Sequence, residues 1–218
     1  MRLVLASASP ARRALLRAAG VDPVVSVSGV DEQALLAELT GVSPADTVTA
    51  LALAKARDVA ATAVGQHPEA VVVGCDSMLL LDGELVGKPG TVDVARARWE
   101  RMAGRAGELL TGHAVVVLRD GVAAGEVAGH ASTAVSFAAP TPAELEAYLA
   151  SGEPLGVAGA FTLDGLGGWF VEGIEGDPSN VVGLSLPLTR QLLAEVGVTV
   201  DALWTAAAQP PTEQARRR

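Results

Sequence analysis

Residues 70–89 read AVVVGCDSMLLLDGELVGKP. Residues 70–74 form an apolar, Val-rich run of strand length, the pattern of a buried strand. That run delivers Cys75-Asp76-Ser77 to its C-terminal end, where open α/β sheets place their ligand chemistry. A second apolar run, 78–81, is separated from a third, 84–86, by Asp82-Gly83. Asp-Gly between apolar runs is a strong hairpin signal. Gly87-Lys88-Pro89-Gly90 then reads as a rigid loop.

Upstream, residues 3–6 are a short apolar strand ended by Ser7-Ala8-Ser9-Pro10. Ser9 suits a helix cap and Pro10 a first helical turn, so a helix is expected over 11–19, stopping at Gly20. Residues 24–28 read as a second strand. Val30-Asp31-Glu32 leads into a short helical stretch to Leu39. Ser43-Pro44-Ala45-Asp46 opens a long Ala-rich helix to about Val64, with Lys55 inside it.

Downstream, 92–103 is helical. Residues 109–118 and 122–137 read as antiparallel strands joined at Asp120-Gly121, the second bent at Gly125 or Gly129. Thr141-Pro142 starts a helix to Ala150. The Gly-rich segment 152–183 reads mostly as loop, with a short strand at 169–171, and 186–196 is a last helix. No internal repeat is visible. Helices mixed with strands, some antiparallel, predict an α/β or α+β fold. One domain is expected over residues 1–204, followed by a disordered tail over 205–218.

Half of the 218 residues are apolar and the net charge is −9. The tail from Thr205 holds three Arg and one Glu, a net of +2, which leaves −11 on the body. A body so acidic argues against a nucleic-acid-coating surface, which binds through neutralised phosphates. A small anionic ligand stays open, because basic groups can be local. The single cysteine, Cys75, rules out an intrachain disulfide and a zinc-binding cysteine cluster. No signal-peptide core follows Met1-Arg2, and no apolar run approaches the ~18 residues that span a bilayer. These features predict a cytoplasmic protein without a membrane partner.

Ser7-Ala8-Ser9-Pro10-Ala11-Arg12-Arg13 brings small residues from a strand to a helix N-terminus. Free backbone N–H groups and the helix dipole there favour a phosphate, and an arginine can grip one with two N–H groups. The same residues also suit an ordinary capped helix with solvated arginines, and no Gly-rich P-loop accompanies them. Asp76 could ligate Mg²⁺, deprotonate a water, or cap a turn. Cys75 fits a small core residue better than a nucleophile. Only two lysines occur, Lys55 and Lys88. Each is a compact point charge for a phosphate oxygen, although a solvated or snorkelling lysine is the usual case. Asp31 and Glu32 could hold a divalent cation or start a helix. Glu172, Glu175, Asp177 and Asn180 could cap the final helix or line a cleft. His67, His113 and His130 lack metal-ligand spacing and read as structural or surface groups.

Together, LVLASASPARRALLRAAG, Val30-Asp31-Glu32, LALAKA around Lys55, VVVGCDSMLLLDGELVGKP, MAGRAGELLTGHAV and EPLGVAGAFTLDGLGGWFVEGIEGDPSNVVGLSLP resemble the Maf (septum-formation) family of nucleotide pyrophosphatases, in an actinobacterial flavour. The resemblance runs from Leu3 to about Gly197. It implies an α/β fold with a mixed twisted sheet, flanked by helices, in two lobes around a central cleft. It implies hydrolysis of nucleoside triphosphates, modified ones included, between the α- and β-phosphates, with Mg²⁺, Mn²⁺ or a similar divalent cation. A homodimer is compatible with it. Position by position, Asp76 matches the proposed general base and, with Glu32, the metal neighbourhood. Ser9, Arg12, Lys55 and Lys88 match the phosphate neighbourhood.

Three positions depart from the family pattern. The arginine pair after Ser-Pro appears as Ala11-Arg12, so Arg13 would supply the second donor. Ser77 replaces a threonine, and Asp164 replaces a glutamine; both positions are linked in the family to base preference. A carboxylate offers only acceptors, so Asp164 suits a base edge rich in N–H donors. The alternative function is a nucleotide-binding regulator of cell division with little catalysis.

Overall fold

The computed structural model describes residues 1–205; the rest of the expected tail lies outside them. Its centre is β3 (Ala70–Leu81), flanked by β1 (Arg2–Leu5) and β2 (Val24–Val25) on one side, and by β5 (Ala106–Arg119), β6 (Val122–Phe137) and β7 (Val171–Glu175) on the other. The short β4 (Glu84–Val86) also pairs with β3. β1, β2 and β3 run parallel, while the remaining pairs are antiparallel. This is the mixed sheet that the family resemblance implies.

The two apolar runs at 70–74 and 78–81 are one strand. Every residue from Ala70 to Leu80 pairs with β5, so Cys75-Asp76-Ser77 is strand and not loop. Both Asp-Gly steps form the expected hairpins. Asp82 and Gly83 have φ of 53° and 83°, Asp120 and Gly121 of 50° and 72°, the left-handed pair that a twisted two-residue turn needs. The bend in β6 lies beside Gly125, where Ala124 is the extra residue of a register shift.

Two strand expectations are corrected. The strand expected over 24–28 is two residues long. The strand expected at 169–171 begins only at Val171, because Leu166–Phe170 winds into a 3₁₀ turn. Three apolar residues in a row cannot distinguish the two conformations.

Side chains accept backbone N–H groups at the start of each helix: Ser9 for α1 (Pro10–Ala18), Asp31 for α2 (Glu32–Glu38), Ser43 for α3 (Pro44–Ala63), Thr91 for α4 (Val92–Met102), Thr141 for α5 (Pro142–Ala150), Asp177 for α6 (Pro178–Val182) and Ser185 for α7 (Leu186–Glu195). α5 carries a full capping box through Glu144.

Alternation along β3 divides its side chains between two faces. Val71, Val73 and Cys75 pack with Leu16, Leu184 and Leu193 on one face. Farther along that face, Leu79 and Leu81 pack with Trp99, Phe137 and Phe161. On the other face Val72 packs with Ala52, Ala56 and Val59 of α3, and farther along Met78 packs with Val48, Leu51 and Leu110. The apolar clusters therefore fall into two lobes, and the change occurs at Asp76 and Ser77.

Small residues set the distance of α3 from the sheet. A Cβ on Gly74 would lie 2.4 Å from Ala52 O, and one on Gly112 would lie 1.9 Å from Val48 O. Gly112 is the β5 partner of Asp76. The helix thus touches the sheet backbone directly beside Asp76.

Candidate functional site

β5 covers one edge of β3 along almost its whole length. The other edge is shared. β1 pairs with Ala70–Val73 and β4 with Leu79–Leu81. Residues 74–78 have no strand on that edge, and two loops lead into the opening. The Ser7–Ser9 loop continues β1 past Val73, with Ala6 N donating to Val73 O. The Gly87–Gly90 loop continues β4 antiparallel to β3, back towards Asp76. A Gly87 Cβ would lie 3.7 Å from Met78 Cε.

Asp76 points to the α3 face. Its Oδ1 lies 2.5 Å from Lys55 Nζ, and Glu32 Oε1 lies 2.8 Å from the same nitrogen. Asp76 and Lys55 are 7% and 8% exposed, while the Glu32 side chain is half-exposed. Burial raises the Asp76 pKa above the ordinary carboxylate range. The Lys55 ammonium opposes that shift without cancelling it. Of the two roles open in the sequence, Asp31 takes the helix start, while Glu32 has a partner that was not expected. Asp31 caps α2 by accepting from Gln33 N and Ala34 N, and Glu32 turns to Lys55.

No cluster of three or more His, Cys, Asp or Glu side chains is poised for a metal among the described residues. Glu32 and Asp76 each turn one carboxylate oxygen to Lys55 Nζ, so the point they share is held by an ammonium. A Mg²⁺-like ion takes one or two carboxylates and fills its sphere from water and phosphate oxygens, so the oxygens of this pair turned away from Lys55 are of a kind that suits it.

Ser77 points to the opposite face and joins a chain of polar groups. Its Oγ is 2.9 Å from Thr111 Oγ1, which donates to Asn180 O. Buried Asn180 donates from Nδ2 to Leu109 O and Thr133 Oγ1. Arg12 reaches into this network. Nε donates to Gly183 O at 2.7 Å, Nη1 to Ser7 Oγ at 3.0 Å and to Cys75 O at 2.9 Å, and Nη2 to Ser77 Oγ at 2.9 Å.

His113, fully buried, ties β5 to the segment before α7. Nε2 accepts from Ser185 N at 2.8 Å, so Nδ1 carries the hydrogen and donates to Thr111 O. Burial pushes its pKa down to about 4. Cys75 is wholly buried, and burial lifts its thiol to about 11, which makes it a core residue.

The other expected residues are more dispersed. Ser9 caps α1 by accepting from Arg12 N at 3.3 Å. Arg13, exposed on α1, makes no side-chain hydrogen bond or ion pair among the described residues, and neither does exposed Lys88. The Lys88 loop is held by Arg98 Nη1 and Gly159 N, both donating to Gly87 O. Asp164 is exposed in a turn held by Glu153, which accepts from Thr162 Oγ1, Leu166 N and Gly167 N. Of the acidic loop residues, Asp177 caps α6, Asn180 is a buried tie, and Glu172 and Glu175 are exposed on β7.

Residues 2–196 match the family described as Maf-like protein. The chain belongs to the Maf family. The nucleoside triphosphate pyrophosphatase of Saccharopolyspora erythraea is 63% identical over 94% of this chain and 97% of its own length. Those of Rhodococcus jostii and Nocardia farcinica are 62% and 64% identical, over 94% and 93% of this Maf chain and 96% of each relative. Among solved structures, a nucleoside-triphosphatase / dITP/XTP pyrophosphatase of Mycobacterium abscessus aligns with 63% of the chain and 74% of its own at 19% identity, with a TM-score of 0.36, a partial likeness on which nothing below depends.

Ser7, Thr111 and Gly183 escaped the reading of the sequence. Ser7 sat in a loop already noted, but Thr111 looked like any strand residue and Gly183 like any loop glycine. Their roles arise from contacts between segments far apart in the chain.

Proposed function

We propose that this Maf-family protein hydrolyses nucleoside triphosphates to monophosphate and pyrophosphate by attack of water at the α-phosphorus, with residues 1–204 acting as one catalytic unit. The observation that carries this reading is a buried carboxylate, Asp76, paired with an ammonium at an opening in the sheet edge. The Ser7–Ser9 and Gly87–Gly90 loops flank that opening, and the second bears Lys88. The pyrophosphatase names of relatives matching nearly the whole chain support it and do not favour a non-catalytic regulator.

Each residue has a part. The raised pKa of Asp76 brings it closer to working pH, which suits a base that takes the proton from water. Lys55 keeps Asp76 ionised and oriented. Arg13 and Lys88, which make no side-chain hydrogen bond or ion pair among the described residues, are cations that could turn to the polyphosphate, and the capped start of α1 at Ser9 adds the positive end of a helix dipole. Ser77 fixes the strand next to the base, and Asp164 would read N–H donors on the nucleobase. A divalent cation held by Glu32 and Asp76 would, when bound, screen the phosphates and acidify water. No helix among the described residues is long and apolar enough to cross a membrane. A cytoplasmic location is part of this reading, because nucleoside triphosphates are made and used there.

The test is pyrophosphate release from a panel of standard and modified triphosphates with Mg²⁺ or Mn²⁺. Asp76→Asn should lower turnover by about 10²–10⁴-fold, the usual contribution of a positioned base. Near wild-type turnover in that variant would overturn the assignment. Binding of triphosphate without pyrophosphate release would favour the regulator.

A further inference from the structure

We propose that Arg12 is a positioning residue and not a phosphate ligand: it holds the β3 segment that carries Asp76, from the face opposite the carboxylate. This rests on the hydrolase reading above and refines one residue of it.

Four of the five guanidinium N–H groups are spent on protein acceptors. Two of these acceptors, Cys75 O and Ser77 Oγ, belong to the residues on either side of Asp76. They lie where β3 has lost its strand neighbour on one edge. Nη1 supplies the donor that a neighbouring strand would have given Cys75 O. The other two acceptors, Ser7 Oγ and Gly183 O, fix the guanidinium itself. Gly183 is suited to this: its φ is 111°, and a Cβ there would lie 3.1 Å from Arg12 Nε. One planar fork therefore pins the Ser7 loop, the Asp76 strand and the segment before α7 to one another.

A guanidinium has a fixed geometry, and a point charge cannot satisfy four acceptors spread around its plane. Swinging it towards a polyphosphate would orphan two main-chain carbonyls and release the strand under the base. Arg13, next in sequence, is exposed and makes no side-chain hydrogen bond or ion pair among the described residues, so it can turn to a ligand at no such loss.

The kinetic test compares Arg12→Ala, Arg12→Lys and Arg13→Ala in the full chain. Arg12→Ala should lower kcat on the order of 10²-fold, the scale of a misplaced catalytic group, with KM for the triphosphate unchanged within about threefold, since no ground-state contact is lost. Millimolar guanidinium or methylguanidinium should restore part of the lost kcat. Arg12→Lys should stay as impaired as the alanine variant, although it keeps the charge. Arg13→Ala should raise KM. A raised KM with intact kcat in Arg12→Ala, or full function in Arg12→Lys, would show a phosphate ligand and overturn the proposal.

A second measurement uses the wild-type protein and does not depend on how the variants fold. In protein carrying ¹⁵N-labelled arginine, the Arg12 Nε–H signal should exchange slowly with solvent and stay protected when pyrophosphate saturates the site. Fast exchange, or loss of protection on adding pyrophosphate, overturns the proposal. Absence of pyrophosphate release from every triphosphate would instead sink the hydrolase reading, and the Nε–H signal would still report on Arg12.

Discussion

Gly112 rests against the carbonyl of Val48, at the β5 position opposite Asp76. A Cβ there would come within 1.9 Å of that oxygen, a contact that only backbone movement can relieve. Gly112→Ala should therefore push α3 off the sheet and carry Lys55 away from Asp76. A destabilisation of about 1–3 kcal/mol is expected from overpacking, with turnover reduced in the molecules that still fold. Urea unfolding and pyrophosphate release measure the two effects. Unchanged midpoint and turnover would mean that the approach of α3 is looser than described.

Lys55→Met keeps the length of the side chain and removes its charge. Asp76 then stays buried with no ammonium to oppose the desolvation that already raises its pKa. The carboxylate should ionise at higher pH still. The acidic limb of the kcat/KM profile should shift upward in this variant, with reduced activity near neutrality. A limb that stays in place would show that Asp76 is not the group being titrated.

The thiol of Cys75 should be inert in the folded protein. It is wholly buried and its pKa is pushed up to about 11, so almost no reactive thiolate exists at neutral pH. A thiol reagent should label it only as fast as the chain unfolds, and in full after denaturation. Rapid stoichiometric labelling of the native protein would contradict this packing.

His113 ties stability to pH. Its folded pKa is held down to about 4 by burial, against about 6.5 when unfolded. The unfolded chain therefore binds the extra proton between these values, and stability falls as pH drops through that window. At the value given, the loss approaches about 3 kcal/mol near pH 4. Urea midpoints of the wild type and of His113→Gln between pH 7 and pH 4 measure it. The glutamine variant should lose this part of the slope. Parallel slopes would remove His113 as the cause.

Local chemistry made much of the fold legible. The Asp-Gly turns, the Ser-Pro helix starts and the Val-rich centre of the sheet each rest on a neighbouring residue or two, and each was found. The continuity of β3 was harder, because Gly74 and Asp76 interrupt an apolar pattern for reasons that lie in α3. Residues 166–170 were harder still, since their 3₁₀ turn depends on Glu153 catching the backbone of Leu166 and Gly167. In the site, Asp76, Glu32 and Lys55 were expected in one phosphate and metal neighbourhood; Lys55 touches both carboxylates where a free phosphate ligand was expected. The burden that Arg12 carries was not legible, because Gly183 and Cys75 are 171 and 63 residues away from it. Sequence pattern reports what a residue type can do, whereas a guanidinium's partners are settled by tertiary contacts.

β3 and β5 run hydrogen-bonded side by side through both lobes, without a break at the seam. A joint that flexed there would have to tear the ladder apart. Closure around a nucleotide would therefore fall to the Lys88 turn, since Arg12 pins the Ser7 loop to β3 and Glu32 is tied to Lys55. The floor beneath Asp76 is the part of the site with the least freedom, because one unbroken ladder holds it.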